Sequence, residues 1–306
     1  MNKSNVIKGN LCALYSTLVW GTTFIVTKNL MGSFNAAEIL FTRFVVAFIV
    51  LMFIRLIKGK EELPAEKNKK DELLLALCGL TGLFLYGTLE IISMKYTYAS
   101  NTSTIVSTNP FFIALFAILF LKEEKPRVNF FGGFVIAISG VALISFNGSA
   151  KFGLNPFGDF LALLCAVAWG VYTTLIKKLS NKGYSTTYVT RHTYLWGCVV
   201  MALALPFFGI NTDFTRFTDT KSLLSLLFLG VIASCTCFLT WNYATRAIGP
   251  VNSGIYIYAI PVVTIVFAAI VLHESVNILS FAGIALVVAG TVISSIRKGD
   301  GKNERA

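Results

Sequence analysis

The sequence predicts an all-α membrane protein of ten transmembrane helices, arranged as two inverted-topology repeats of five, and three observations carry that expectation. Hydrophobic residues fill 55% of the 306 positions and charged residues 13%, with a mean hydropathy of +0.72, whereas soluble domains carry about 25% charged residues. Apolar stretches near the ~20 residues needed to cross the hydrocarbon recur ten times along the chain. Lys95, Asn101 and Pro110 return as Arg246, Asn252 and Pro261, each 151 positions later. Five spans precede the repeat boundary and five follow it. An odd number per half makes the second half enter the bilayer from the opposite face.

In the first half the spans read at about 10–28, 36–57, 72–94, 99–121 and 128–146; in the second, at about 156–178, 186–208, 222–243, 251–272 and 278–296. The first is closed by Lys28 and Asn29 without a small-residue cleavage pattern, so it reads as a retained span and not as a signal peptide. It carries WGTTF at Trp20 to Phe24, and the sixth carries WGVYTT at Trp169 to Thr174, the two Trp-Gly pairs lying 149 apart. The second, third and seventh spans hold the intramembrane charges Arg43, Glu90 and Arg191. The fourth and ninth carry Pro110 in STNPFF and Pro261 in YAIPVV; a proline inside a helix frees a carbonyl that must be satisfied within the protein. The eighth ends on Trp241 and Asn242. The fifth and tenth carry Gly133 and Gly140, and Gly283 and Gly290, seven apart, a spacing that stacks small residues on one face and permits close helix packing. The expected organisation is a first repeat over 1–148, a second over 149–298 and a tail over 299–306. The longest polar interruption, about 55–72, is far shorter than the ~50 residues of a minimal domain.

The formal charge of +11 suggests nucleic acid or anionic lipid until its distribution is followed. Placing the N-terminus in the cytoplasm puts 19 basic residues in inner segments and five in outer loops, with Arg43 and Arg191 inside spans. The positive-inside rule then assigns both termini to the cytoplasm and the protein to the cell membrane as a multi-pass chain, with no nucleic-acid partner. All six cysteines (Cys12, Cys78, Cys165, Cys198, Cys235 and Cys237) fall in apolar spans, where a free thiol behaves as a small hydrophobe, so neither a disulfide framework nor a metal site is implied.

The Trp-Gly pairs, TRF at Thr42 to Phe44, MKYTYASNTSTIVSTNP at Met94 to Pro110 and ATRAIGPVNSGIYIYAIPVVT at Ala244 to Thr264 together resemble the EamA family of the drug/metabolite transporter superfamily. Glu124 and Glu274 resemble the acidic residue that follows the fourth and ninth spans there. The resemblance covers the whole chain. It implies ten helices in two EamA repeats, a central cavity opened alternately to each side, and export of amino acids or other metabolites. Arg191 and His192 lie outside the family pattern.

Ionisable groups within spans are the sharpest functional clues, since a mid-bilayer charge costs at least ~2.5 kcal/mol on the mildest scales. At ~1.5 Å per residue, Arg43 sits about 10 Å from the outer end of its span and Glu90 about 27 Å from the inner end of its own, so both belong to the outer third. They serve either as a packing clamp or as a solute or proton site. The repeat sets Glu90 against Trp241 and Arg43 against Arg191 or His192. Adjacent on one helix, Arg191 and His192 point about 100° apart, and Arg191 is expected to snorkel towards the cytoplasmic boundary. The candidate solute-binding set is Trp20, Thr23, Arg43, Glu90, Asn109, Trp169, Tyr172, His192, Trp241, Asn242 and Tyr258, with Pro110 and Pro261 as gating positions. Asn109 and Asn242 enter because a buried amide is costly without partners; the aromatics enter because the repeat sets them near the centre, although packing alone accounts for roughly half of such residues. Glu123, Glu124 and Glu274 are expected to cap following helices.

An enzyme is disfavoured: His192 and His273 are the sole histidines, HESVN at His273 lacks a second metal-binding histidine, and no phosphate loop is present. A receptor is disfavoured by the absence of any sizeable extramembrane segment. The expectation is a secondary transporter working without cofactor, as a monomer, on a small solute. Efflux of cationic drug-like compounds is the alternative, supported by Glu90 and opposed by Arg43 and Arg191.

Overall fold

The computed structural model describes residues 3–59, 68–96, 102, 105–121, 128–145, 156–209, 213–271 and 278–295, and every regular element among them is helical. Helix α1 (Lys3–Leu30) turns into α2 (Ala36–Lys58) through a capping box. Asn35 accepts from the Glu38 backbone N–H, and Glu38 in return accepts from that of Asn35, so two orphan donors are satisfied reciprocally. The third span is α3 (Lys69–Gly79), a π-helical stretch (Leu80–Leu85) and α4 (Tyr86–Tyr96) in unbroken succession; α5 (Asn109–Leu121) and α6 (Val128–Ser145) follow.

The second half repeats this order. It contains α7 (Pro156–Asn181), α8 (Thr186–Phe208), a 3-10 turn (Phe214–Thr218), α9 (Thr220–Leu227), a π stretch (Phe228–Thr236) and α10 (Cys237–Ile248). There follow α11 (Pro250–Gly254), a 3-10 turn (Ile255–Tyr258), α12 (Ala259–Val271) and α13 (Ile278–Ser295). Five stretches, Lys3–Thr27, Ala36–Ile57, Lys69–Tyr96, Pro156–Asn181 and Thr220–Ile248, are long and apolar enough to cross a membrane; Asn109–Leu121, Val128–Gly140 and Phe281–Ser294 are shorter apolar helices. The capping expectation for Glu123, Glu124 and Glu274 lies outside the described residues.

The halves pack as mirror roles. Helix α1 lies on α10 and α12, as α7 lies on α4 and α5, while α2 packs on α8 and α6 on α13. The two π stretches fall at equivalent places in the repeat, a feature with no sequence signature. The Trp-Gly pairs acquire a physical reason here. A Cβ on Gly21 would stand 2.5 Å from Val263 Cβ, and one on Gly170 would stand 2.9 Å from Phe112 Cβ, so each glycine lets its helix close on the broken span of the other half.

Helices α6 and α13 run antiparallel. Gly133 meets the Gly290 carbonyl, and Gly140 meets the Gly283 carbonyl, so position rises on one helix as it falls on the other. Opposed directions for equivalent helices are what an inverted repeat requires.

Two expectations need correction. Pro110 and Pro261 do not interrupt helix interiors: Pro110 is the second residue of α5, after a turn at Ser107 and Thr108, and Pro261 is the third residue of α12, after a 3-10 turn. Proline is tolerated in a first helical turn because its missing N–H would have had no partner there. The break lies in the residues before each proline. The register of the seventh span also shifts: Gly230 sits against the Arg43 carbonyl and its counterpart Gly79 against that of Thr193, which makes Thr193 the local equivalent of Arg43 in place of Arg191 or His192.

Candidate functional site

Helices α1, α2, the third span, α5, α7, α10 and the broken ninth span converge on a central cavity of about 50 Å³. At about 10–15 Å³ of such space per water this holds a few waters. Its lining includes Trp20, Thr23, Arg43, Glu90, Asn109 and Trp169 from the candidate set.

The floor is aromatic. Trp20 and Trp169, equivalent residues of the two Trp-Gly pairs, meet edge to face with centroids 5.3 Å apart, and Phe238 packs on both at 5.6 and 5.7 Å. Tyr86 lies 4.8 Å from the Trp169 ring. The indole N–H of Trp20 donates to the Ala233 carbonyl at 2.9 Å. Trp169 Nε1 and Asn109 Oδ1 are buried without a hydrogen-bond partner among the described residues. An unpaired buried donor and acceptor each carry a desolvation cost, and their place on one cavity offers complementary anchors to an incoming polar group.

Two opposite charges sit on this aromatic floor in separate sockets. Arg43 donates from Nε to Ser234 Oγ at 2.9 Å, and Tyr86 donates from its hydroxyl to Glu90 Oε1 at 3.2 Å. They make no direct ion pair, so the packing clamp is not what the geometry shows. Each carries a neutral partner and faces the shared cavity.

The remaining candidates stand elsewhere. Tyr172 and Trp241 pack behind the wall, at 5.1 and 5.9 Å from the Trp169 ring. Tyr172 donates to Asn242 Oδ1 at 2.8 Å, and Asn242 donates to Thr190 Oγ1 at 2.8 Å, a satisfied network that cross-links α7, α10 and α8. Tyr258 belongs to a separate apolar cluster with Phe130 and Ala114. His192 stacks on Tyr188 at 3.9 Å with Nδ1 against its carbonyl. Arg191 does not snorkel: it is 5% exposed, with its guanidinium 5.5 Å from the Tyr188 ring centre. Pro110 and Pro261 lie off the cavity, each next to a lining residue, Asn109 and Ile260 respectively. Ser234, Tyr86 and Phe238 join the site without belonging to the candidate set. Tyr86 was legible as the residue one helical turn from Glu90, whereas Ser234 depends on the contact between the second and eighth spans.

A duplicated bundle of apolar helices around a small, charged, aromatic cavity defines a multi-pass membrane protein of the transporter class. The sequence matches the EamA-like transporter family over residues 7–146 and again over 156–296, and the chain belongs to that family. It is 26% identical over 293 residues to an uncharacterized transporter of Archaeoglobus fulgidus, covering 95% of this chain and 98% of that one. A Streptantibioticus cattleyicolor protein named "Probable terminal-alkyne amino-acid exporter" is 27% identical, covering 93% of each chain. A crystal structure superposes with a TM-score of 0.79 at 19% identity, covering 97% of this chain and 99% of that one, and so shares the fold.

Proposed function

We propose that the protein is a secondary transporter of the cell membrane that exports amino acids or related small metabolites by gradient-driven alternating access. In this reading ten spans form two five-helix repeats over 1–148 and 149–298, with both termini and the 299–306 tail in the cytoplasm. The observation that carries it is the cavity in which Arg43 and Glu90, each held by a neutral partner, face one small space walled by Trp20 and Trp169. A zwitterion presents a carboxylate and an ammonium, the two groups this pair complements. The amino-acid exporter named among the relatives supports the same solute class. Inverted membrane vesicles carrying the protein should accumulate labelled amino acids, saturably and only while a proton or sodium gradient is imposed. Accumulation of organic cations alone would move the assignment to the cationic-efflux alternative, which Glu90 and the aromatic walls favour, and gradient-independent traffic would overturn secondary transport itself.

Orientation is tested by thiol labelling of intact cells with a reagent that cannot cross the membrane. A cysteine placed at position 151 is expected to react and one at position 67 to remain silent; the opposite pattern would reverse the topology.

Pro110 and Pro261 are assigned to gating because each opens the helix that follows a break beside the cavity. A Cβ on Gly254, just before the 3-10 turn, would stand 3.7 Å from Pro110 Cα, so the two broken spans run close together. Pro110→Ala and Pro261→Ala should leave expression nearly intact, since no internal helix bond is at stake in a first turn, and should slow transport several-fold. Unchanged rates in both variants would remove the prolines from the mechanism.

A further inference from the structure

Glu38 opens α2 and Asp71 opens α3, and the two residues mark opposite ends of the bundle. Helix α2 has 23 residues, so its start lies about 34 Å from its end, and α3 begins on the side where α2 finishes. Each of these carboxylates is the centre of an ion-pair cluster. At the first end Arg216 holds Glu38 through two parallel bonds, Nη2 to Oε1 at 3.0 Å and Nη1 to Oε2 at 3.1 Å. Its Nη1 also donates to the Ser33 carbonyl at 2.7 Å, and the guanidinium lies 4.9 Å from the centre of the Phe34 ring. At the second end Lys182 donates to Asp71 Oδ1, and the Tyr184 hydroxyl donates to Oδ2 at 3.2 Å.

The clusters are equivalent under the repeat. In each, the connection between the first two spans of one half (Ser33 and Phe34, or Lys182 and Tyr184) is tied to the entry of the third span of the other half (Arg216, or Asp71). Beneath each sits a leucine, and the two are 151 positions apart. Leu226 is buried in the cluster of Leu30, Phe34 and Ile39, and Leu75 in that of Leu179, Tyr184 and Val189. The helices joined this way, α2 and the third span among them, also wall the central cavity.

The two clusters are unequal. Arg216 and Glu38 are 14% and 9% exposed and bonded as a fork, while Lys182 is 40% exposed and supplies a single ammonium to Asp71. Asp71 itself is only 5% exposed, so the difference lies in the partner: a bidentate guanidinium fork resists separation more than a single half-exposed ammonium does.

We propose that these clusters are the two gates of the transport cycle, and that the Arg216–Glu38 gate stays shut while the Lys182–Asp71 gate opens first in the solute-free protein. The inference rests on the reading of the chain as an alternating-access carrier. With both termini in the cytoplasm, the gate that opens first faces the cytoplasm, the side from which an exporter loads.

The test uses full-length protein in membrane vesicles, with the six native cysteines replaced, a single reporter (Leu75→Cys or Leu226→Cys) and the membrane-permeant thiol reagent N-ethylmaleimide. Without added solute, the cysteine at 75 should be modified about tenfold faster than that at 226, the ratio for an alternative state populated near a tenth. Glu38→Gln should raise the rate at 226 and lower it at 75, because opening one end closes the other. Asp71→Asn should raise the rate at 75 and lower it at 226. If Glu38→Gln fails to reach the membrane, Arg216→Lys keeps the charge, loses the fork and should give a smaller shift in the same direction. Equal wild-type rates at 75 and 226 would overturn the ranking of the gates. Rates unchanged in the charge variants, or rising at both reporters together, would overturn the gates themselves. Labelling needs no transported solute, so a wrong guess about solute class leaves this result intact.

Discussion

Glu90→Gln is expected to cut gradient-driven amino-acid uptake into inverted vesicles by roughly 10- to 100-fold at sub-saturating solute, the value of one charge-assisted hydrogen bond of ~1.5–3 kcal/mol. The fold should hold. Glu90 is bonded to the Tyr86 hydroxyl and Arg43 to Ser234, so neither charge relies on the other for its partner. Breaking a buried ion pair would cost ~3–5 kcal/mol of stability, and that penalty is not expected here. The amide of glutamine can still accept from Tyr86, which leaves the stability change near ~1 kcal/mol. Arg43→Gln should behave alike. Since each charge keeps its own hydrogen-bond partner, combining both changes should deepen the transport defect and rescue nothing. A double variant that recovers both stability and transport would restore the clamp, and fully active single variants would remove both residues from the solute path.

That contrast shows where the sequence was legible. Arg43 and Glu90 stood out because charge inside an apolar span is costly and therefore rare, and the structure brings both to one cavity. What their side chains touch was not legible, because Ser234 reaches Arg43 only through the packing of the second span on the eighth. The repeat was legible wherever the same chemistry recurs at a fixed offset, as at Trp20 and Trp169, whose rings meet at 5.3 Å. It is misleading where one half has drifted: the repeat offset sets Arg43 against Arg191 or His192, while the backbone packing points to Thr193. The prolines read as interior kinks because an apolar run does not reveal where a helix restarts. Tyr172, Trp241 and Asn242 pack near Trp169 without lining the cavity, and spacing does not separate the wall from what lies behind it. Their polar atoms differ in a way no spacing encodes: Tyr172 and Asn242 bond each other, while Trp169 Nε1 and Asn109 Oδ1 have no partner among the described residues.

Gly133→Ala is expected to cause the largest loss of stability of any single-methyl change proposed for this protein. In lipid there is no hydrophobic driving force between helices, and contact quality along the small-residue seam must hold them together. A Cβ on Gly133 would lie 2.2 Å from Ser294 Oγ, 2.5 Å from the Gly290 carbonyl oxygen and 2.6 Å from Ser294 N. Two of those three atoms are backbone, so rotation of a side chain cannot relieve the overlap and α6 must move away from α13. Overpacking of this kind costs typically ~1–3 kcal/mol and more where backbone must shift. Gly290→Ala should act alike, with Ala137 N and the Gly133 carbonyl oxygen at 2.5 and 2.6 Å. The neighbouring Gly132 supplies the control on the same helix. Nothing lies within 4 Å of its added Cβ, so Gly132→Ala removes a helix-weakening glycine and should be neutral or stabilising by up to ~1 kcal/mol. Thermal unfolding in detergent should therefore rank Gly132→Ala at or above wild type and Gly133→Ala and Gly290→Ala well below it, with lower yields in the membrane. Equal melting temperatures for Gly132→Ala and Gly133→Ala would mean that the antiparallel glycine contact does not hold the two repeats together.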